Sequence, residues 1–132
     1  MKNYQIKLNQ KQLELIQESL DLYSRLKCGQ IEELSNKFSS PFYDRINNEN
    51  TDIINDCVNE LKKNLFPDLS AGSFYGIFSN KAPESAKISY DMIQVIRHGI
   101  AWSVNPKGGM TVNFDSPLKC SKENLITIKE VK

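Results

Sequence analysis

The chain has 132 residues, with 17 lysines and arginines against 16 aspartates and glutamates for a formal net charge of +1. That length suits one domain with a real core, residues 1–132, and is short for two. The balanced charge excludes a broad electrostatic footprint for DNA or for an anionic membrane surface, so any basic site must be local.

Met1 to Lys7 alternates polar and apolar residues where a signal core would be continuous, and no apolar run approaches membrane length. We therefore expect a cytoplasmic protein. Tyr4, Ile6 and Leu8 against Gln5 and Lys7 have the period of a half-buried strand. Asn9 with Gln12 three residues later reads as a capping box. The helix it opens carries Leu13, Leu15, Ile16, Leu20, Leu22, Tyr23 and Leu26 on one broad side and Glu14, Gln17, Glu18 and Asp21 opposite, and runs to Lys27 or Cys28. Gly29 is placed as its C-cap residue, and Gln30 to Leu34 offers another short helical turn.

Pro41 disfavours helix in the residue before it, and Asn47 to Asn50 is polar enough for a surface loop. Asn50 or Thr51 caps the next helix, whose Ile54, Val58, Leu61 and Leu65 recur at three- and four-residue spacing until Pro67 ends it. Between Pro67 and Pro83, glycines flank Ser73-Phe74-Tyr75, so the backbone can approach a ligand there. A functional loop and a short strand through Tyr75 to Phe78 both fit this stretch.

Pro83 suits a helix first turn and Glu84 its dipole. The helix that follows, centred on Tyr90–Trp102, carries the single histidine, the single tryptophan and one of three arginines. Lys87, Asp91, Gln94 and His98 share a polar strip, Ile88, Met92, Val95, Ile96 and Ile100 an apolar arc, and Arg97 falls at its margin. A guanidinium there is costly to desolvate without an anionic partner. Met110, Val112 and Phe114 then alternate as a strand, and Leu125 to Lys129 reads as a last one. The order predicts an α+β domain, a small antiparallel sheet covered by two or three long helices.

One histidine and three dispersed cysteines, Cys28, Cys57 and Cys120, offer neither a metal-ligand spacing nor a disulfide framework. We expect three reduced, partly buried thiols, with no metal and no cofactor. Asp91 lies two turns from His98 on one helix surface, which is no triad. Gly108-Gly109 and Gly72-x-x-x-Gly76 match no nucleotide-binding glycine motif. What remains is sparse arginine among aromatics: Tyr23 with Arg25, Tyr90 and Trp102 with Arg97, and Phe74, Tyr75 and Phe78 in the loop. Arginine grips phosphate and rings stack on bases. Equally, aromatics on amphipathic helices are usually core, and an arginine at an apolar margin usually pairs with an internal carboxylate.

Tyr23-Ser24-Arg25 with Gly29-Gln30, and Tyr90-Asp91-x-x-Gln94-Val95-Ile96-Arg97-His98-x-x-Ala101-Trp102 followed by Gly108-Gly109-x-x-Val112, resemble a family of small phage proteins that includes the Thoeris anti-defence sponge proteins. The similarity covers the first helix and the stretch from Tyr90 onward, and does not extend over Asn36 to Phe66. It implies a homo-oligomer that binds a small-molecule signalling nucleotide, a cyclised ADP-ribose isomer, and withholds it without degrading it. The motif positions imply Arg25 and Arg97 as phosphate contacts. Phe74, Tyr75, Phe78 and Asn80 as base or ribose contacts rest on the loop itself. An enzyme that cleaves the nucleotide, with His98 or Asp91 as acid–base group, and a protein–protein inhibitor are the alternatives.

Overall fold

The computed structural model describes residues 1–40 and 43–132; the break expected at Pro41 lies outside the described residues. Among these there are four α-helices, α1 (Gln10–Lys27), α2 (Glu33–Lys37), α3 (Thr51–Leu65) and α4 (Glu84–Val104), and one 3₁₀ turn at Val112–Phe114. Asn9 opens α1 with the capping box its spacing predicts: its side chain accepts from the Gln12 N–H at 2.9 Å, and the Gln12 side chain accepts from the Asn9 N–H at 3.0 Å. Gly29 follows its C-terminus at φ +92°, a conformation that residues with a Cβ adopt at a cost.

The expected sheet is not formed, and the fold is helical rather than α+β. Tyr4–Leu8, Met110–Phe114 and Leu125–Lys129 join no ladder, and Tyr75–Phe78 is irregular as well. The one antiparallel pairing among the described residues joins Ser39–Ser40 to Tyr43–Asp44, too short for a layer. The reason is physical: alternation records which side chains prefer one side, whereas a strand also needs a neighbour for its backbone groups. Here the C-terminal segment lies on a helix instead, with Leu125, Ile126 and Ile128 half-buried and Ile128 seated over Gly99 of α4, where an added Cβ would lie 3.0 Å from its Cγ2.

The most extensive packing is α1 on α4. Small residues let the two helices close up: Ala86 is fully buried, Ser24 nearly so, and the Ser24 hydroxyl donates to the Ala86 carbonyl at 3.0 Å. Cys28, Ala82 and Ala86 form a core cluster against which Tyr75 and Ile77 pack, while Ile93, Val95 and Ile96 bury the middle of α4. Lys62 of α3, only 2% exposed, donates to Glu32 at 2.5 Å and to the Ser73 carbonyl at 2.6 Å. It thereby ties α3 to the start of α2 and to the turn that precedes Phe74.

The C-terminal segment covers the polar strip of α4. Asp91, 3% exposed, accepts from the backbone N–H groups of Cys120 at 2.7 Å and Ser121 at 3.0 Å, and from the Cys120 thiol at 3.1 Å. Glu84 accepts from the Lys122 N–H. Nearer the end of α4, His98 Nδ1 donates to the Asn113 carbonyl at 3.0 Å and Trp102 Nε1 to that of Phe114 at 3.1 Å, and the rings of Trp102 and Phe114 meet edge to face. Burial raises the Asp91 carboxyl, but its hydrogen bonds from Ser121 and Cys120 outweigh that and hold it below the ordinary carboxylate range. Burial and the same carboxylate push the Cys120 thiol up to about 12.

Gly29→Ala should cost about 1–2 kcal/mol, read by urea denaturation. Asp91→Asn should cost about 2 kcal/mol at neutral pH, because a neutral amide replaces a charged acceptor of two backbone donors. A depressed carboxyl contributes stability that is present above its unfolded pKa and lost as pH falls through its lower folded one. The destabilisation by Asp91→Asn should therefore be full at neutral pH and shrink below about pH 4, measured by thermal melts across pH.

Candidate functional site

The polar row on α1 borders an open furrow beside α4. Glu14, Gln17, Glu18, Asp21 and Arg25 form one wall and Ile93 and Arg97 the other, around an open volume of about 420 Å³. The spacing of 14, 18, 21 and 25 places those four residues on one helix stripe. Asp21 and Arg25 also line a second cleft of about 280 Å³, which continues past Ser24, Gln30 and Tyr90 to Phe74, Tyr75 and Ile77. The two share Asp21 and Arg25 as lining residues, and each is in or near the size range of a small-molecule site.

Arg25 is held in place. Its Nε donates to Asp21 Oδ2 at 2.9 Å and its Nη1 to Gln30 Oε1 at 3.0 Å, with Glu33 3.8 Å away. The Asp21 partner was legible as an acid four residues before a base on a helix; Gln30 and Glu33 reach Arg25 only because the chain turns at Gly29. Glu18 is paired with Lys37 at 3.4 Å, and Glu14 accepts from the Gln10 amide at 2.8 Å.

Arg97 differs. Its Nε is buried with no hydrogen-bond partner, and no ion pair joins Arg97 to any described residue. The physical expectation that the protein supplies an internal anion is not met at this position.

The aromatic end is fixed by a separate network. The Tyr75 N–H donates to the Cys28 carbonyl at 2.9 Å, and its hydroxyl donates to Asp68 at 2.5 Å, where Lys81 also donates at 3.1 Å. The hydrogen bond to Asp68 raises the Tyr75 phenol above its ordinary range and, with the Lys81 bond, lowers Asp68. Phe66 meets the Tyr75 ring edge-on, at 5.9 Å between centroids. Tyr75 is thus a rigid wall, whereas Phe74 is exposed on the rim.

Of the six residues singled out from sequence, Arg25, Phe74 and Tyr75 line one cleft, and Arg25 and Arg97 the other. Phe78 and Asn80 line neither and lie on the exposed surface. Alternation separates Tyr75 and Ile77, which are half-buried, from Phe74 and Phe78, which are exposed, but it does not say which of the two sides turns inward. Glu14, Glu18 and Ile93 were not anticipated at the site, because which neighbour covers a helix face is not encoded in its own periodicity. The thiols are disposed unequally: Cys28 is buried, Cys120 half-buried and Cys57 exposed on α3. Among the described residues no group of histidine, cysteine, aspartate and glutamate is placed to hold a metal ion, and no helix is long and apolar enough to cross a membrane.

Since the Arg97 Nε is desolvated without compensation, Arg97→Met, which keeps the stem volume and removes the polar group, should raise the stability of the unliganded protein by about 1 kcal/mol. A higher melting temperature than wild type is the expected readout. Comparison with protein-family models, with curated proteins and with solved structures finds no match to this chain.

Proposed function

We propose that the joined clefts between α1 and α4 bind a small nucleotide, and that the protein sequesters a cyclised ADP-ribose isomer without degrading it, as an immune-evasion protein of a phage. The observation that carries the reading is the Arg97 guanidinium, desolvated at Nε and unpartnered within the described residues. A phosphate is the ligand group that best suits a guanidinium without an ion partner, met through its terminal nitrogens by short charge-assisted hydrogen bonds. Arg25, held by Asp21 and Gln30, supplies a second cation at the junction of the clefts. The Phe74 and Tyr75 rings border the end suited to a base. Carboxylates such as Glu14 and Asp21 suit the ribose hydroxyls between them, as acidic residues do in dinucleotide sites. The specific ligand class comes from the sequence resemblance around Arg25 and Arg97.

Sequestration needs affinity and no chemistry. Nanomolar binding corresponds to roughly −12 kcal/mol, within reach of several charge-assisted hydrogen bonds of about 1.5–3 kcal/mol each together with ring stacking. The two residues closest to an acid–base role are otherwise employed: Asp91 holds the Cys120–Ser121 backbone and His98 the Asn113 carbonyl. We further take the protein to work as a homo-oligomer in the host cytoplasm. Ile53, Leu61 and Leu65 of α3 and Tyr4 and Ile6 of the N-terminal arm remain exposed, an apolar surface of the kind that protein contacts cover.

Isothermal calorimetry against cyclic ADP-ribose isomers tests the proposal. We expect tight binding by wild type, no detectable binding by Arg97→Ala with its fold retained, and recovery of intact nucleotide when the complex is heated and the supernatant chromatographed. Unchanged affinity in Arg97→Ala would remove the site, and recovery of cleavage products would make the protein an enzyme.

A further inference from the structure

Phe74, at the rim of the cleft that Arg25 and Gln30 also line, is 53% exposed, so packing does little to fix its ring. Its backbone is fixed from both sides. The peptide group after it gives its N–H, that of Tyr75, to the Cys28 carbonyl at 2.9 Å. The peptide group before it offers the Ser73 carbonyl to the buried Lys62 ammonium of α3 at 2.6 Å. With both flanking peptide planes held, φ and ψ of Phe74 are set, and with them the direction of its Cα–Cβ bond. The same ammonium donates to Glu32 at 2.5 Å, and Glu32 accepts from the Gly72 N–H at 3.4 Å. On the stretch that carries Glu32, Gln30 accepts from Arg25 at 3.0 Å and Glu33 lies 3.8 Å from it. One buried cation thus links the turn that carries the ring to the stretch that holds Arg25.

Burying a lysine is a poor way to gain stability. An apolar side chain of similar volume often serves a fold as well or better, and Glu32, with 38% of its side chain exposed, keeps its charge hydrated without an internal cation. What the ammonium adds is direction, since its donors reach a carboxylate and a carbonyl from different segments at once. We propose that Lys62 is a positioning residue for the nucleotide site: it orders Phe74 at the cleft before a base arrives, so that stacking carries little ordering cost. The inference rests on the reading of this cleft as the base end of that site. It gives α3, which contributes no lining residue to either cleft, a part in binding.

The test is calorimetry with cyclic ADP-ribose on the full chain as wild type, Lys62→Met, Phe74→Ala and the double variant, each checked for a cooperative thermal melt. Lys62→Met should weaken binding by roughly tenfold, the scale of leaving one or two side chains to be ordered on binding. Phe74→Ala should weaken it too, and Lys62→Met should add little in the Phe74→Ala background, because the lysine acts through that ring. A merely structural lysine would lower the melting temperature and leave affinity alone. Unchanged affinity in Lys62→Met or in Phe74→Ala, or losses that add in the double variant, would overturn the inference while leaving the Arg97 end of the site standing. Should Lys62→Met lose its cooperative melt, Glu32→Gln, which leaves Lys62 an oxygen but no charge, takes its place in the cycle with the same expected outcomes. Wild type that binds no cyclic ADP-ribose would remove the nucleotide site, and the inference with it.

Discussion

The contact between Ser24 and Ala86 sets the distance between α1 and α4, and the rest of the molecule is arranged around it. A buried hydroxyl that donates to a helix carbonyl next to a methyl side chain with no exposure lets two helix backbones approach closely, as larger side chains would not. From that crossing the two helices run side by side, and the polar row of α1 comes to lie beside Ile93 and Arg97. Had bulky residues stood at 24 and 86, the same row would face open solvent and Arg97 would keep its water.

That juxtaposition leaves a local debt. The protein desolvates Arg97 Nε and offers nothing in return, while it surrounds Arg25, on the α1 wall of the same furrow, with Asp21, Gln30 and Glu33. Buried polar atoms are rarely left in this condition, and sites that bind ligands are where native proteins tolerate it. The contrast between an arginine with partners that lines both clefts and one without an ion partner in the second gives the site its direction: rings at one end, an unpaired guanidinium at the other.

The opposite side of α4 is spent on holding the chain's own C-terminal segment. Asp91, His98 and Trp102 each bind backbone groups of residues 113–121, and Gly99 gives Ile128 its seat. The helix therefore separates two roles by face. Groups that looked available for chemistry when only the helix was considered are consumed by structure, because the backbone donors and acceptors of an irregular segment must be satisfied somewhere.

Local rules of the chain determined the helices. The Asn9–Gln12 box, Gly29 after α1, Pro67 after α3 and Pro83 before α4 are decided by hydrogen bonds and dihedral limits within a few residues, and each element they bound was legible. The importance of Arg97 was legible too, as a charge at the edge of an apolar arc. The sheet was not, since the alternation of Tyr4–Leu8, Met110–Phe114 and Leu125–Lys129 sorts side chains to two sides without specifying a partner for the backbone or a cover for either side; Tyr4, Ile6, Met110 and Val112 remain exposed. Nor could periodicity say that the polar row of α1 would border a furrow, or which side of the 74–78 stretch would turn inward, because burial is a property of two surfaces and the sequence of one element describes only its own. Tertiary structure alone decided that Arg97 would find no internal carboxylate, that Gln30 and Glu33 would join Asp21 at Arg25, and that Arg25 would line both clefts.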